Sequence, residues 1–173
     1  KTGTSLYQAV ISSLSQNPNI IKIIAPYYNS SGSLIKKFKD SLQPLSVHCV
    51  VDTTCGILPV NFKSKDCEFS DWSDVINSNP FKSIQRLHAK MIQIEYDDKT
   101  ILIIGSANAT LEAFGVSNRG FINDEAVITI TSTNSRDFLK ELCVKIPKKG
   151  TLDINTLQTE ILDITDSLKG LIK

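Results

Sequence analysis

Among its 173 residues the chain has only two histidines, four cysteines, one methionine and one tryptophan, and aromatic residues make up 7%. Eight glycines and six prolines, without any period, exclude a collagen-like or low-complexity chain. Long apolar runs are missing as well. The strongest, Ile20 to Ile24 and Ile101 to Ile104, fall far short of the roughly 20 residues that a bilayer-spanning helix needs, so a soluble chain is expected. No sign of charge dominates: 19 Lys and Arg stand against 18 Asp and Glu, a formal net charge of +1, so any affinity for phosphate must come from local charge. Cys49, Cys55, Cys67 and Cys143 form no CxxC pair, and no His stands at zinc-finger spacing from them. We therefore expect four free thiols in a reducing, cytoplasmic compartment, with no metal and no cofactor.

What is present is an ordinary globular composition, 41% hydrophobic and 21% charged, in a chain long enough to bury about two-thirds of its unfolded surface without disulfides. The first residue is Lys1 rather than Met, from which a fragment of a longer protein is expected. Leu6, Val10 and Leu14 share one face of a helix expected over Thr4 to Gln16, capped by Thr4 and broken by Asn17, Pro18 and Asn19. The run Ile20 to Ile24 reads as a buried strand, Leu34 to Leu42 as a helix and Ser46 to Asp52 as the next strand. A strand-helix-strand unit of this kind implies a largely parallel sheet. Thr53 to Ser83 is irregular, with Trp72 as its expected anchor. Leu87 to Tyr96 and Thr100 to Ile104 read as a hairpin turning across Asp97, Asp98 and Lys99. Helical composition over Asn108 to Phe114, alternation over Glu125 to Thr131 and a helical stretch over Ser135 to Leu142 complete a mixed α/β domain spanning residues 1–146. Residues 147–173 form a linker and an amphipathic helix, in which Ile154, Leu157, Ile161, Ile164, Leu168 and Leu171 recur at spacings of three and four. That helix packs on its own domain, forms a dimer contact or leads to a further domain.

The stretch that carries chemistry is Leu87 to Thr110, LHAKMIQIEYDDKTILIIGSANAT. His88 and Lys90 stand two apart in an expected strand, so both side chains leave the same face, and the hairpin return brings Gly105, Ser106, Ala107 and Asn108 back toward them. An imidazole can act as nucleophile or general acid, while an ammonium and a carboxamide can bind phosphate oxygens as charge builds on them. Gly105 permits close backbone approach and Ser106 adds a small donor. His48 reads as a satisfied strand histidine.

The order His88, Lys90, Gly105, Ser106, Asn108 resembles the signature of the phospholipase D superfamily, H-x-K-x4-D-x6-G-S-x-N. The acidic position departs from it: counting forward from Lys90 leads to Glu95, counting back from Gly105 leads to Asp98, and a hairpin three residues longer explains both. Neither is placed in the catalytic set. The segment IIKIIAPYYNSSGSLIKKF is similar to the superfamily's opening strand-loop-helix. The resemblance implies a three-layer α/β/α domain with a mixed, largely parallel sheet, and a metal-independent phosphodiesterase working through a phosphohistidine on His88. It further implies that Lys90 and Asn108 hold the phosphoryl oxygens and that Glu125 orients His88, with Asp124 and Glu112 as alternatives; Gly105 and Ser106 support the loop. A single signature implies a homodimer sharing one site. DNA is the expected substrate, cut by an endonuclease of the restriction- or helicase-linked type, with a helicase or DNA-recognition domain elsewhere in the full-length protein. A lipid phosphodiesterase and a non-catalytic nucleic-acid-binding domain are the alternatives.

Overall fold

A computed structural model describes residues 4–63, 65, 67–76, 86–117 and 123–157. Elements follow in the order α1 (Leu6–Ser12), β1 (Ile20–Ile24), α2 (Ser33–Leu42), β2 (Ser46–Val51), β3 (Cys67–Asp71), α3 (Trp72–Ile76), β4 (Met91–Glu95), β5 (Thr100–Gly105), β6 (Val127–Ser132) and α4 (Phe138–Glu141). The strands form one six-stranded sheet in the order β3-β2-β1-β4-β5-β6. Between the strands of the sheet, β1–β2 and β2–β3 pair in parallel, and β1–β4, β4–β5 and β5–β6 are antiparallel. The sheet is therefore mixed rather than largely parallel. Parallel neighbours need a long crossover. The α2 connection supplies one, whereas the turn closed by Tyr96 N–H donating to Lys99 O (2.8 Å) reverses the chain directly.

Alternation along the strands divides the core in two. Ile21, Ile23, Val47, Cys49, Ile92, Ile94, Ile101 and Ile103 pack with Tyr7 and Val10 of α1 and with Leu34, Ile35, Phe38 and Leu42 of α2. Ile24, Val50, Met91 and Leu102 pack with Val75 of α3 and Phe138 and Leu139 of α4. Apolar burial on both sides is why β1 and β2 read as near-continuous hydrophobic runs. Within the second set the fully buried Gln93 is satisfied. Its Nε2 donates to Glu95 (2.7 Å) and Asp137 (3.0 Å), and its Oε1 accepts from the Leu139 N–H (3.0 Å). This amide ties α4 to β4, and Lys22 pairs with Glu95 beside it.

Several elements differ from their sequence expectations for local reasons. α1 is capped by Ser5, which forms a reciprocal capping box with Gln8, and not by Thr4. β4 begins at Met91, so residues 86–90 precede the ladder. Residues 110–115 form turns instead of a helix. There the Leu111 N–H donates to Asn29 Oδ1 (2.8 Å) and the Ala113 N–H to Thr110 Oγ1 (3.2 Å), so side chains take donors that a helix would use. α4 has four residues, starting where Asp137 accepts from Lys140 N–H (3.1 Å). β3 and α3 arise within Thr53 to Ser83, whose sequence pattern is irregular. Residues 154–157 are helical, and the remaining heptad-spaced positions, Ile161 to Leu171, lie outside the described residues. Among the described residues no helix is long and apolar enough to cross a membrane.

Candidate active site

The antiparallel register settles which residues meet. Met91 at the start of β4 lies opposite Ile24 at the end of β1 and Ile104 near the end of β5, and Gly105 lies opposite Val127 at the start of β6. The segment before β4, the loop after β5 and the segment before β6 thus share one end of the sheet. They carry His88 and Lys90, Ser106 and Asn108, and Glu125 respectively.

Backbone bonds lace these segments together. The Gly105 N–H donates to Lys90 O (3.3 Å) and the Ser106 N–H to Ala126 O (3.0 Å), while the Ala126 N–H donates to Ser106 Oγ (3.1 Å). Ser106 therefore closes the β5–β6 end. Gly105 is required for space: a Cβ there would lie 2.1 Å from Ala126 O and 2.8 Å from Val127 Cα.

His88 is exposed at the sheet end. The half-buried Lys90 folds back to donate from Nζ to His88 O (2.9 Å). Burial pushes the Lys90 ammonium below its ordinary pKa, and the negative charge of Glu125 offsets part of that shift. Glu125 Oε1 accepts from Asn123 Nδ2 (3.2 Å). Among the described residues no hydrogen bond or ion pair joins His88, Asn108 and Glu125 to one another; the electrostatic partner of Glu125 is Lys90. Asn108 is half-buried, and its Oδ1 is buried with no hydrogen-bond partner among the described residues.

A cleft of about 650 Å³ opens beside these segments, walled by Ser106, Asn123, Asp124, Glu125 and the start of α1 at Thr4 to Leu6. His88, Lys90 and Asn108 are not among the residues of its wall. The Glu112 carboxylate, an alternative to Glu125, accepts from Asn29 Nδ2 (3.1 Å) and Ser117 Oγ (3.1 Å), and its carbonyl accepts from the Asn123 N–H (3.3 Å). The two acidic residues left out of the catalytic set lie away from the site. Glu95 sits at the opposite end of β4, paired with Lys22, and Asp98 is exposed in the hairpin turn. His48 is buried in β2, where Nε2 meets Ser70 Oγ (2.9 Å) and Nδ1 lies 3.7 Å from Glu68.

No cysteine is in a disulfide among the described residues, and the Cys49 and Cys67 sulfurs lie 3.8 Å apart. Among the described residues no group of three or more His, Cys, Asp or Glu is placed to hold a metal ion. One contact had no forecast in the motif. Asp52, at the end of β2, reaches the backbone of Leu87 beside His88. The only local signal for it is an Asp closing a buried strand before a polar turn. Compared with models of known protein families and with curated proteins, the sequence matches none.

Proposed function

We propose that the chain is a phosphodiesterase of the phospholipase D type, with His88 as nucleophile, and that its substrate is DNA. The observation that carries the reading is the lacing of Lys90 to Gly105 and of Ser106 to Ala126, which gathers the His-x-Lys segment, the GSAN loop and Glu125 at one sheet end. The two apolar clusters, one holding α1 and α2 and the other α3 and α4, support a three-layer α/β/α reading of the domain.

In this reaction an imidazole nitrogen of His88 forms a bond to phosphorus, and the P–O bond to the leaving group breaks as that oxygen is protonated. Water then attacks the phosphohistidine, releasing His88 and a phosphomonoester; two steps replace one difficult step. The Lys90 ammonium swings from the His88 carbonyl to the phosphoryl oxygens, and the Asn108 amide donates to them. Glu125 helps keep Lys90 charged and orients His88 once substrate is bound. In-line displacement needs an acid opposite the nucleophile, and one copy of the motif supplies one side, so a twofold homodimer completes the site. A helicase or DNA-recognition domain in the full-length protein would deliver the DNA.

Purified chain is assayed on plasmid DNA and on phosphatidylcholine side by side, with and without His88→Ala, and quenched in base to preserve phosphohistidine. Expected are DNA cleavage, a covalent phosphoprotein adduct and loss of both in His88→Ala. Wild-type rates in His88→Ala overturn the site. Cleavage of lipid alone overturns the substrate, and DNA binding without any adduct shows a binding domain instead. Sedimentation at assay concentration tests the shared site, which an active monomer refutes.

A further inference from the structure

We propose that Asp52 is a positioning residue for His88, acting through the backbone of Leu87; this role rests on the phosphodiesterase reading above. Asp52 is 5% exposed. Its Oδ1 accepts from the Thr54 N–H (2.9 Å) and the Cys55 N–H (3.0 Å), and its Oδ2 accepts from the Leu87 N–H (3.2 Å), 35 residues away. A buried carboxylate with three backbone donors is the arrangement in which such a group tolerates loss of water.

The segment it grips has few other restraints. Residues 86–90 lie outside the strand ladder, and His88 itself is exposed. Among the described residues its backbone is held on both sides of His88, and Lys90 Nζ also donates to the His88 carbonyl (2.9 Å). On one side the Leu87 N–H is bound to Asp52, with the Leu87 side chain buried in the cluster that includes Ile24, Val50 and Met91. On the other, Lys90 O accepts from the Gly105 N–H. His88 is suspended between these anchors. Among the described residues, removing the Asp52 carboxylate leaves the Leu87 side of His88 held by the buried Leu87 side chain alone, so the Leu87 backbone can shift and carry the imidazole with it.

The turn that presents Asp52 has little slack. The Gly56 N–H donates to Asp52 O (2.9 Å), and a Cβ on Gly56 would meet Asp52 O at 2.5 Å and Pro26 O at 2.4 Å. The carboxylate cannot simply follow a displaced Leu87. The chemistry also demands an acid and not an amide. All three partners are donors, so an Asn must turn its NH2 toward either the Leu87 N–H or the Thr54 and Cys55 N–H groups.

The test compares Asp52→Asn with Asp137→Asn. Asp137 is the control because it also caps backbone, accepting from the Lys140 N–H (3.1 Å) and from Gln93 Nε2 (3.0 Å), without touching Leu87 or the turn that presents Asp52. For Asp52→Asn we expect kcat on DNA to fall about 10- to 100-fold with KM unchanged, as for a nucleophile displaced by a fraction of an ångström to 1 Å. The Leu87 amide and His88 ring resonances should shift in NMR spectra, and Asp137→Asn should leave all three readouts as in wild type. Wild-type kcat in Asp52→Asn, or unmoved Leu87 and His88 resonances, overturns the role. Because Asp52→Asn can fail to fold, amide exchange is measured on the wild-type chain too: a Leu87 amide exchanging at the rate of an open loop also overturns it. The two possible failures separate cleanly. An active wild type indifferent to Asp52→Asn removes Asp52 alone, whereas an inactive wild type with a protected Leu87 amide removes the phosphodiesterase reading and the role with it.

Discussion

Replacing Gly105 by Ala adds one methyl group where there is no room for it. The new Cβ would sit 2.1 Å from Ala126 O, below the 3.0 Å that real contacts essentially never breach, so the start of β6 must retreat by about 0.9 Å. Both obstructing groups are backbone, and no side chain can rotate away. The retreat strains or breaks two bonds, Ser106 N–H to Ala126 O and Ala126 N–H to Ser106 Oγ. Each contributes about 0.5–1.5 kcal/mol net. Forced overpacking adds about 1–3 kcal/mol. A total of about 2–6 kcal/mol corresponds to a Tm lower by roughly 4–24 °C for a chain of this size. Glu125 precedes the displaced residue, so activity should fall as well, by up to about 100-fold for a shift near 1 Å. Thermal denaturation followed by circular dichroism, with a cleavage assay on the same preparation, reads both effects. A Gly105→Ala chain melting within about 1 °C of wild type would refute the reasoning, because it would mean that β5 and β6 do not approach this closely.

Tyr28→Phe removes a buried hydroxyl lying 3.1 Å from Ile23 O and 2.9 Å from Val50 O, and should cost about 1–2 kcal/mol in urea denaturation with no change in m. Acid should destabilise the fold in two ranges. Burial lowers the His48 pKa more than Glu68 raises it, so the unfolded chain takes up that proton first; its contribution is full above about pH 6.5 and is lost as pH falls through the folded-state value. At Asp71 and Asp137 burial acts upward, but the bonds from Ser73 and Thr53, and from Gln93 and Lys140, outweigh it and depress both pKa values. Their contribution is full above about pH 3.9 and is lost as pH falls through the lower folded values, so denaturation midpoints flat from pH 8 to roughly pH 3 would contradict both assignments. In the proposed mechanism Lys90 and Asn108 supply the charge stabilisation, so cleavage should survive excess EDTA; complete loss that Mg²⁺ restores would overturn that mechanism.

The sequence determined by itself whatever local pattern controls. Five consecutive apolar or aliphatic-stemmed residues made β1 legible to the residue, and an amphipathic face bounded by Gly32 and Gln43, both in left-handed conformations, made α2 nearly so. The hairpin and the motif residues at its ends were legible for the same reason, since a short turn forces the two strands into one register. What the tertiary structure decided was everything that depends on a distant partner. β3 is a strand because Val47 to Val51 offers it a ladder, and Cys67 to Asp71 alone has too little apolar pattern to declare it. Asn108 to Phe114 has helical composition, yet Asn29, some 80 residues earlier, claims the Leu111 N–H and holds a turn. The sheet became mixed because β4 returned alongside β1, a choice that no window of sequence contains. Asp52 reads locally as a turn residue, and only the folded chain sets its second oxygen against the amide beside His88, because a carboxylate has two acceptor sites and the sequence near it uses only one.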